Sequence, residues 1–272
     1  MPHPDNKNGY IKRLALVWLA NIRTSLVRET GFRANFWLGF ARQFIWIGAF
    51  IFLIQIIFQN TQSLNGWSKP EALIILALSR MIEGLIDTLV SRNIGMLPQS
   101  VQRGEFDSIL LKPLPAQFSI AFKQFHLYYT GNIIGGLILF IYGLTHLPSL
   151  PPLSAWTSFF ILILVSGVVF YSFLILVASL VFRLERLEAL YGFMTLFTEP
   201  LTVPFEIFPR IPRIVITYLI PIAFIVFVPA QAITGKLHTW QIPVAILVAA
   251  IFLTLANLAW SSGLKKYTSA SS

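Results

Sequence analysis

Three charged side chains lie on one face of an apolar stretch. In residues 72–92, Arg80, Glu83 and Asp87 follow one another at steps of three and four residues, a spacing that places them on one side of a helix. A charge near the middle of a membrane costs about 2.5–3.5 kcal/mol, so such residues usually face the interior of a helix bundle. The pattern indicates either a polar strip at a translocation path or subunit contact, or an Arg80–Glu83 pair that neutralises itself while Asp87 lies near the headgroups.

The same carboxylates do not make a metal site by themselves. Glu83 and Asp87 have no third ligand nearby in the sequence. The four histidines stand apart from one another and from acidic pairs, which is typical of interfacial or packing residues, and the chain has no cysteine. We therefore expect no catalytic residue, no metal site and no cofactor bound by this chain.

A second polar feature interrupts the middle of the chain. "QRGEFDSILLKPLP" occupies residues 102–115, whereas the chain as a whole is 56% hydrophobic and 11% charged. Pro98 suits the start of a short helix, Gly104 its end, and Pro113 the end of a second short helix. That second helix would carry apolar residues on one side, namely Phe106, Ile109 and Leu110. The pattern is that of a capped interfacial turn or of a docking element for a cytoplasmic partner.

Long uncharged runs must position these polar groups. Four runs contain no Asp, Glu, Lys or Arg: 43–68, 124–182, 214–235 and 237–264. A transmembrane helix needs about 20 mostly apolar residues, and the longest run must cross more than once because three prolines between 148 and 152 break it. The runs predict an all-α polytopic membrane protein with a single transmembrane domain over residues 1–272.

We predict six spans, preceded by a helix in the membrane interface. The divisions are 10–30 for the interfacial helix, 35–91 for spans 1 and 2, 92–123 for a cytoplasmic segment, 124–182 for spans 3 and 4, 187–236 for span 5 and an outer hairpin, and 239–262 for span 6. With both termini in the cytoplasm, most of the 20 basic residues fall on the cytoplasmic side, as is usual for membrane proteins. The net charge of +9 has the same explanation and does not require nucleic acid as a partner.

The count of six depends on a proline-rich stretch. Residues 198–236 are apolar but contain six prolines. If 214–234 crossed fully, the chain would have seven spans, and Lys265 and Lys266 would lie outside. A re-entrant or outer-leaflet helical hairpin keeps six spans, and we favour it because proline-broken helix is tolerated at membrane depth where protein surrounds it.

The N-terminal stretch has the pattern of an amphipathic helix. Its apolar residues recur at steps of three and four: Ile11, Leu14, Trp18, Ile22 and Leu26. Lys12, Arg13 and Arg23 fall elsewhere on the helical wheel, which favours a helix that lies on membrane lipids with its basic groups toward anionic headgroups. The alternative is an amphipathic helix packed on protein.

Three segments of the chain resemble the membrane subunits of type-2 ABC transporters, and more narrowly a bacterial branch of uncharacterised ABC-type permeases. They are "ETGFRANFWLGF" (29–40), "SRMIEGLIDTLVSRNIGMLPQSVQRGEFDSILLKPL" (79–114) and "LIPIAFIVFVPAQAITG" (219–235). The most specific part runs from Arg103 through Gly104, Glu105, Phe106 and Asp107 to the following Lys-Pro pair.

The resemblance implies the same six spans, an interfacial helix, a coupling helix between spans 2 and 3, and an outer-leaflet hairpin before span 6. It also implies an exporter in the bacterial plasma membrane, made of two permeases of the same or homologous chains and of separate cytoplasmic P-loop ATPases that hold ATP and Mg. The chain itself lacks the P-loop pattern, in agreement with an ATP site on another polypeptide.

If the chain is such a permease, we expect the residues of the coupling segment to have separate roles. Arg103, Glu105 and Asp107 would make charged contacts with the ATPase, Gly104 would break the helix, and Phe106 would anchor in an apolar groove of the partner. The strip of Arg80, Glu83 and Asp87 would belong to the path or to the interface between permeases.

Three other classes of protein share some of these features. An ion-coupled secondary transporter needs charges within the bundle, and the strip at Arg80, Glu83 and Asp87 supports it. A membrane-embedded lipid enzyme should show clustered Asp or His groups, which the sequence lacks. A membrane scaffold or sensor that does not transport is the third alternative.

Overall fold

Helices dominate this computed structural model, which describes residues 7–31, 33–183, 221 and 223–267. In chain order they are α1 (Lys7–Gly31), α2 (Arg33–Ile57), α3 (Lys69–Ile86), a π-helical turn (Asp87–Ser91), α4 (Arg92–Gly95), α5 (Leu97–Gln102), α6 (Glu105–Leu110), α7 (Ala116–Ala121), a 3-10 turn (Leu127–Tyr129), α8 (Thr130–Thr145), α9 (Leu153–Ala178), a 3-10 turn (Ser179–Phe182), a π-helical turn (Ala223–Phe227), α10 (Val228–Ile233) and α11 (Gln241–Leu264). No strand occurs among these residues, so the protein is an all-α membrane protein.

Four helical stretches are long and apolar enough to cross a membrane. They are Ala34–Ile57, Leu127–Thr145, Leu153–Phe182 and Gln241–Leu264. Each coincides with one of the six spans that the sequence predicts. The predicted fifth span begins at residue 187, and residues 184–220 lie outside the described residues, so the choice between six and seven spans stays a prediction.

A fifth helical run carries the charges and occupies the centre of the bundle. From α3 through the π-helical turn to α4, residues 69–95 form one helical stretch that is about 40 Å long at 1.5 Å per residue. Every residue from Glu71 to Arg80 is buried. Protein rather than lipid therefore surrounds this half of the run, which explains how a helix with several charged residues can lie inside a membrane bundle.

Glycines bring α8 close to its neighbours on two sides. A Cβ atom at Gly136 would lie 2.8 Å from the carbonyl oxygen of Ala77 in α3, and one at Gly131 would lie 3.1 Å from the carbonyl oxygen of Phe40 in α2. Gly135 also faces α2, where its Cβ would overlap a side chain. Small residues let membrane helices approach until their backbones touch, so the glycine spacing of α8 fixes it between α2 and α3.

The other half of the bundle joins α9 to α11 and to a short buried helical piece. Residues 223–233 comprise a π-helical turn and α10, with Pro229 in the first turn of α10, where its missing N–H costs nothing. Ser166 of α9 donates a hydrogen bond of 3.0 Å to the carbonyl oxygen of Phe224. This piece is about half as long as a membrane span requires, and it is enclosed by protein.

Lys236 ties the loop after α10 to the start of α3. Its ammonium group donates to the Glu71 carboxylate at 2.5 Å and to the carbonyl oxygen of Gly66 at 2.6 Å, and it lies 4.5 Å from the ring centre of Trp67. The same Glu71 oxygen accepts hydrogen bonds from the backbone and hydroxyl of Ser68, which caps α3. One carboxylate thus joins a helix start to a distant loop.

Replacing Lys236 by methionine should lower stability by about 1–2 kcal/mol, because a charged hydrogen-bond donor is lost from a partly exposed site while the apolar stem is kept. The measurement is the thermal unfolding temperature of the detergent-solubilised protein. Lys266→Met, at an exposed position near the end of α11, is the matched control. Equal effects of the two changes would show that the contacts of Lys236 with Glu71 and Gly66 contribute nothing to stability.

Candidate functional site

The segment between α4 and α8 forms a sharp corner at Gly104. Two short helices, α5 and α6, lie where the proline and glycine pattern predicts them. Gly104 has a φ of +71°, a left-handed conformation that glycine adopts without strain, and its N–H donates to the carbonyl oxygen of Val101 at 3.1 Å. Glycine at this position therefore turns the chain out of α5 and into α6.

Two charged residues stand at the outside of this corner. The side chain of Arg103 is 70% exposed and that of Glu105 is 50% exposed, with 4.0 Å between their charged atoms. So loose and exposed a pair contributes little to stability. Both groups are therefore free to exchange their mutual contact for one with another molecule.

The position of Phe106 differs from the predicted one. The sequence predicts that its ring lies in a groove of a partner, whereas the structure buries it fully within its own chain. Its ring centre lies 5.3 Å from that of Phe182 and 5.1 Å from that of Tyr267. Ile109 shares this buried side, whereas Leu110 is exposed. The groove that receives Phe106 is thus supplied by the ends of this chain's own spans, and the ring is not accessible to a partner in this structure.

An aromatic cluster connects the corner to two spans. Phe182 ends the 3-10 turn after α9, and its ring packs edge to face on Trp260 of α11 with 5.1 Å between centres. The hydroxyl of Tyr267 donates to a carboxylate oxygen of Asp107 at 3.0 Å. Asp107 is therefore also engaged within the chain, while its cluster joins α6 to the ends of α9 and α11.

The side chain of Asn93 joins the two ends of the segment between α4 and α8. Its buried amide nitrogen donates to the carbonyl oxygens of Ala121 at 2.9 Å and Gln124 at 2.7 Å, and its amide oxygen accepts the backbone N–H of Gln124 at 3.1 Å. Sequence reasoning missed this residue. The sequence feature that could have indicated it is an asparagine, which is a poor helix former, inside a helical run at the end of a span.

Helix α1 docks on the chain just before α8 through a row of polar side chains. Asn21, Ser25 and Glu29, spaced four residues apart, make hydrogen bonds of 2.8–2.9 Å to backbone groups of residues 122–127. Burial raises the pKa of the Glu29 carboxyl above its usual value, although the hydrogen bond from the backbone acts in the opposite direction. This face of α1 packs on protein, which is the alternative that the sequence left open.

Another face of α1 remains suited to lipid. Trp18 contacts the ring of Phe125 with 5.8 Å between centres, so it belongs to the docked face. Large apolar residues are exposed elsewhere on the helix, namely Leu16, Leu19, Leu26 and Val27. Exposed basic residues accompany them, namely Lys12, Arg13 and Arg23. The helix thus combines a protein contact with an exposed apolar and basic surface.

The strip on α3 contains a closed ion pair. A guanidinium nitrogen of Arg80 lies 2.8 Å from a carboxylate oxygen of Glu83, and both side chains are largely buried. The guanidinium also lies 5.3 Å from the ring centre of Phe50 in α2. Asp87 begins the π-helical turn that follows α3. The structure therefore brings Arg80 and Glu83 together as a locally neutral pair between two helices.

Comparison with known proteins agrees with this architecture. A model of the ABC-2 family transporter proteins matches residues 44–271, and no curated protein matches the chain. The matched region contains α3, the Gly104 corner, the aromatic cluster, three of the four apolar helices and the part of the first that follows residue 43. Because the match covers most of the sequence, the chain belongs to the ABC-2 transporter family and is a multi-pass membrane permease.

Proposed function

We propose that this chain is the permease subunit of an ATP-driven exporter and that a separate cytoplasmic ATPase docks on the Gly104 corner. The observation that supports this most is the contrast between neighbouring side chains at the corner. Arg103 and Glu105 are exposed at the corner, whereas the adjacent Phe106 is packed against the ends of α9 and α11. A partner that moves the corner therefore also moves the spans.

Tight packing gives this coupling its stiffness. Packed protein interiors have few voids and transmit strain, so Phe106 cannot shift without moving Phe182 and Tyr267. Asn93 acts at the other side of the segment, where its amide holds residues 121–124 against α4. With both connections in place, movement of the partner is passed to α4, α9 and α11 and is not absorbed by a loose loop.

The proposed orientation places the Gly104 corner in the cytoplasm, with both chain termini on that side of a bacterial plasma membrane. Basic residues surround this end of the bundle, namely Arg13, Arg28, Arg42, Arg92, Lys112, Lys123 and Arg183. Cytoplasmic ends of membrane proteins carry such an excess. ATP and Mg would be held by the ATPase, and this chain would contribute the docking surface.

A second permease, of the same or a homologous chain, would complete the transporter. The large apolar side chains that α2 exposes, including Ile45, Trp46 and Phe52, would face membrane lipid or that second subunit. We also propose that Arg80, Glu83 and Asp87 belong to the path or to the contact between permeases. Ion-coupled transport has less support, because Arg80 and Glu83 already neutralise each other at 2.8 Å.

Charge reversal at the corner tests the docking role. Arg103→Glu and Glu105→Arg should each weaken retention of the ATPase about tenfold, because close charge pairs at interfaces contribute roughly 1.5 kcal/mol or more. The measurement is the amount of the ATPase that remains bound to the purified permease, together with vanadate-sensitive ATP hydrolysis.

Lys266→Glu provides the control, since it reverses an exposed charge at the same end of the bundle. A normal complex with normal hydrolysis after both corner reversals would overturn the proposed docking surface. Retained binding with lost transport would instead locate the effect in coupling.

A further inference from the structure

A cavity of about 740 Å³ lies where α1 ends and α2 begins, against the residues that lead into α8. Its basic lining comes from three different elements: Arg28 of α1, Arg42 of α2 and Arg92 of α4. The volume is typical of a site for a small organic ligand. Neither the coupling segment nor the α3 ion pair accounts for it.

The cavity has an excess of positive charge. Within the described part of the chain, neither Arg28 nor Arg42 lies within 4.0 Å of a carboxylate oxygen. Glu29 also lines the cavity, but one of its oxygens accepts the backbone N–H of Leu127 at 2.9 Å. The lining thus contains three guanidinium groups and one carboxylate, that of Glu29, so its net charge is positive.

Arg92 is held in place before any ligand arrives. Its Nε donates to the hydroxyl of Tyr129 at 2.8 Å, and its guanidinium lies 5.1 Å from the centre of the same ring. His126, also in the lining, shares these surroundings: burial, together with the positive charges of Arg92 and Arg28, lowers its pKa to about 4. A fixed arginine in such a field costs little reorganisation when an anion binds.

The wall of the cavity continues onto the apolar surface of the first span. Phe36, Leu38 and Tyr128 contribute to the lining, and the side chain of Leu38 is 70% exposed on α2. A molecule in this place would therefore contact guanidinium groups and the exposed apolar surface of α2 together. Phospholipids have this combination of an anionic headgroup and acyl chains.

We propose that this cavity binds the phosphate-bearing headgroup of an anionic membrane lipid. Arginine binds phosphate oxygens through paired N–H donors, and basic pockets between membrane helices accommodate anionic headgroups. The acyl chains would lie along α2 beside Leu38. Free phosphate has the same anionic group without the chains, so the two sources can be separated by experiment. This site is independent of ATP-driven export.

The test measures lipid binding to the full-length protein in mixed micelles. Phosphatidylglycerol, phosphatidylcholine and inorganic phosphate are each titrated, and binding is followed by native mass spectrometry and by the thermal unfolding temperature. For the wild type, we expect phosphatidylglycerol to be retained and to raise the unfolding temperature, with smaller effects of phosphatidylcholine and phosphate. A rise as large with inorganic phosphate would overturn the assignment to lipid.

Arginine variants identify the site. Arg42→Gln, at an exposed position that should not disturb folding, is expected to weaken phosphatidylglycerol binding about tenfold, and addition of Arg28→Ala should weaken it further. The control combines Lys12→Ala with Arg23→Ala, which removes two exposed charges from α1 outside the cavity. If the control lost binding as strongly as the cavity variants, the attraction would belong to the general surface charge and the proposal would fail.

Discussion

Replacement of Phe106 by alanine is expected to lower the free energy of unfolding by about 3–5 kcal/mol and to uncouple ATP hydrolysis from transport. The ring is fully buried between Phe182 and Tyr267, so its removal leaves a cavity where the coupling segment meets two spans. Movement of the corner would then be taken up by that cavity. Transport should fall even where the ATPase remains bound.

The measurements are thermal unfolding, ATPase retention and ATP-dependent transport in reconstituted membranes. Phe160→Ala is the matched control, because it removes the same side chain from an exposed position on α9. Phe106→Leu retains apolar volume and should fold at the assay temperature. Loss of transport while the ATPase stays bound would support an internal role for Phe106, whereas loss of the ATPase itself would support the groove of a partner that the sequence analysis proposed for Phe106.

Gly136 should tolerate no side chain. Substitution by alanine in a helix normally gains up to about 1 kcal/mol, but here the new methyl group would lie 2.8 Å from the carbonyl oxygen of Ala77. Because that oxygen belongs to the backbone of buried α3, it cannot rotate away. We expect Gly136→Ala to cost about 1–3 kcal/mol, and Gly136→Leu to separate α8 from α3 and prevent assembly.

Gly167 offers the opposite case on α9. Among the described residues, no atom beyond the backbone of its own helix lies within 4 Å of a Cβ added there, so Gly167→Ala should be neutral or stabilising. The two alanine variants are compared by their unfolding temperatures and by their resistance to dodecyl sulfate. Equal behaviour would mean that α8 and α3 do not pack as closely in the membrane as they do in this structure.

Sequence alone predicted the elements that are determined by residues close together in the chain. The lengths of the uncharged runs were enough to locate the four apolar helices that can cross a membrane. Pro98 and Gly104 were enough to divide the coupling segment into α5 and α6. These features depend on burial of apolar length and on backbone conformation, which each stretch of sequence carries within itself.

The rest depended on neighbours that are distant in the sequence. The apolar side of α6 was visible, but nothing local shows whether Phe106 packs on its own chain or on a partner. Asn93 looked like an ordinary polar residue because its acceptors lie some thirty residues away. The row of Asn21, Ser25 and Glu29 was visible by its four-residue spacing, yet the helical wheel was interpreted from its apolar and basic residues.

The Asn93 amide has a consequence for the modularity of the permease. This amide holds the start and the end of the coupling segment at one buried point. The residues between these two ends therefore form a closed loop, and a longer loop could be closed at the same point at small cost in entropy. The exposed turn at Leu111 lies on that loop. Evolution could therefore exchange or extend this part of the chain to suit different ATPases, provided that Asn93 and Phe106 were kept, and leave the membrane bundle unchanged.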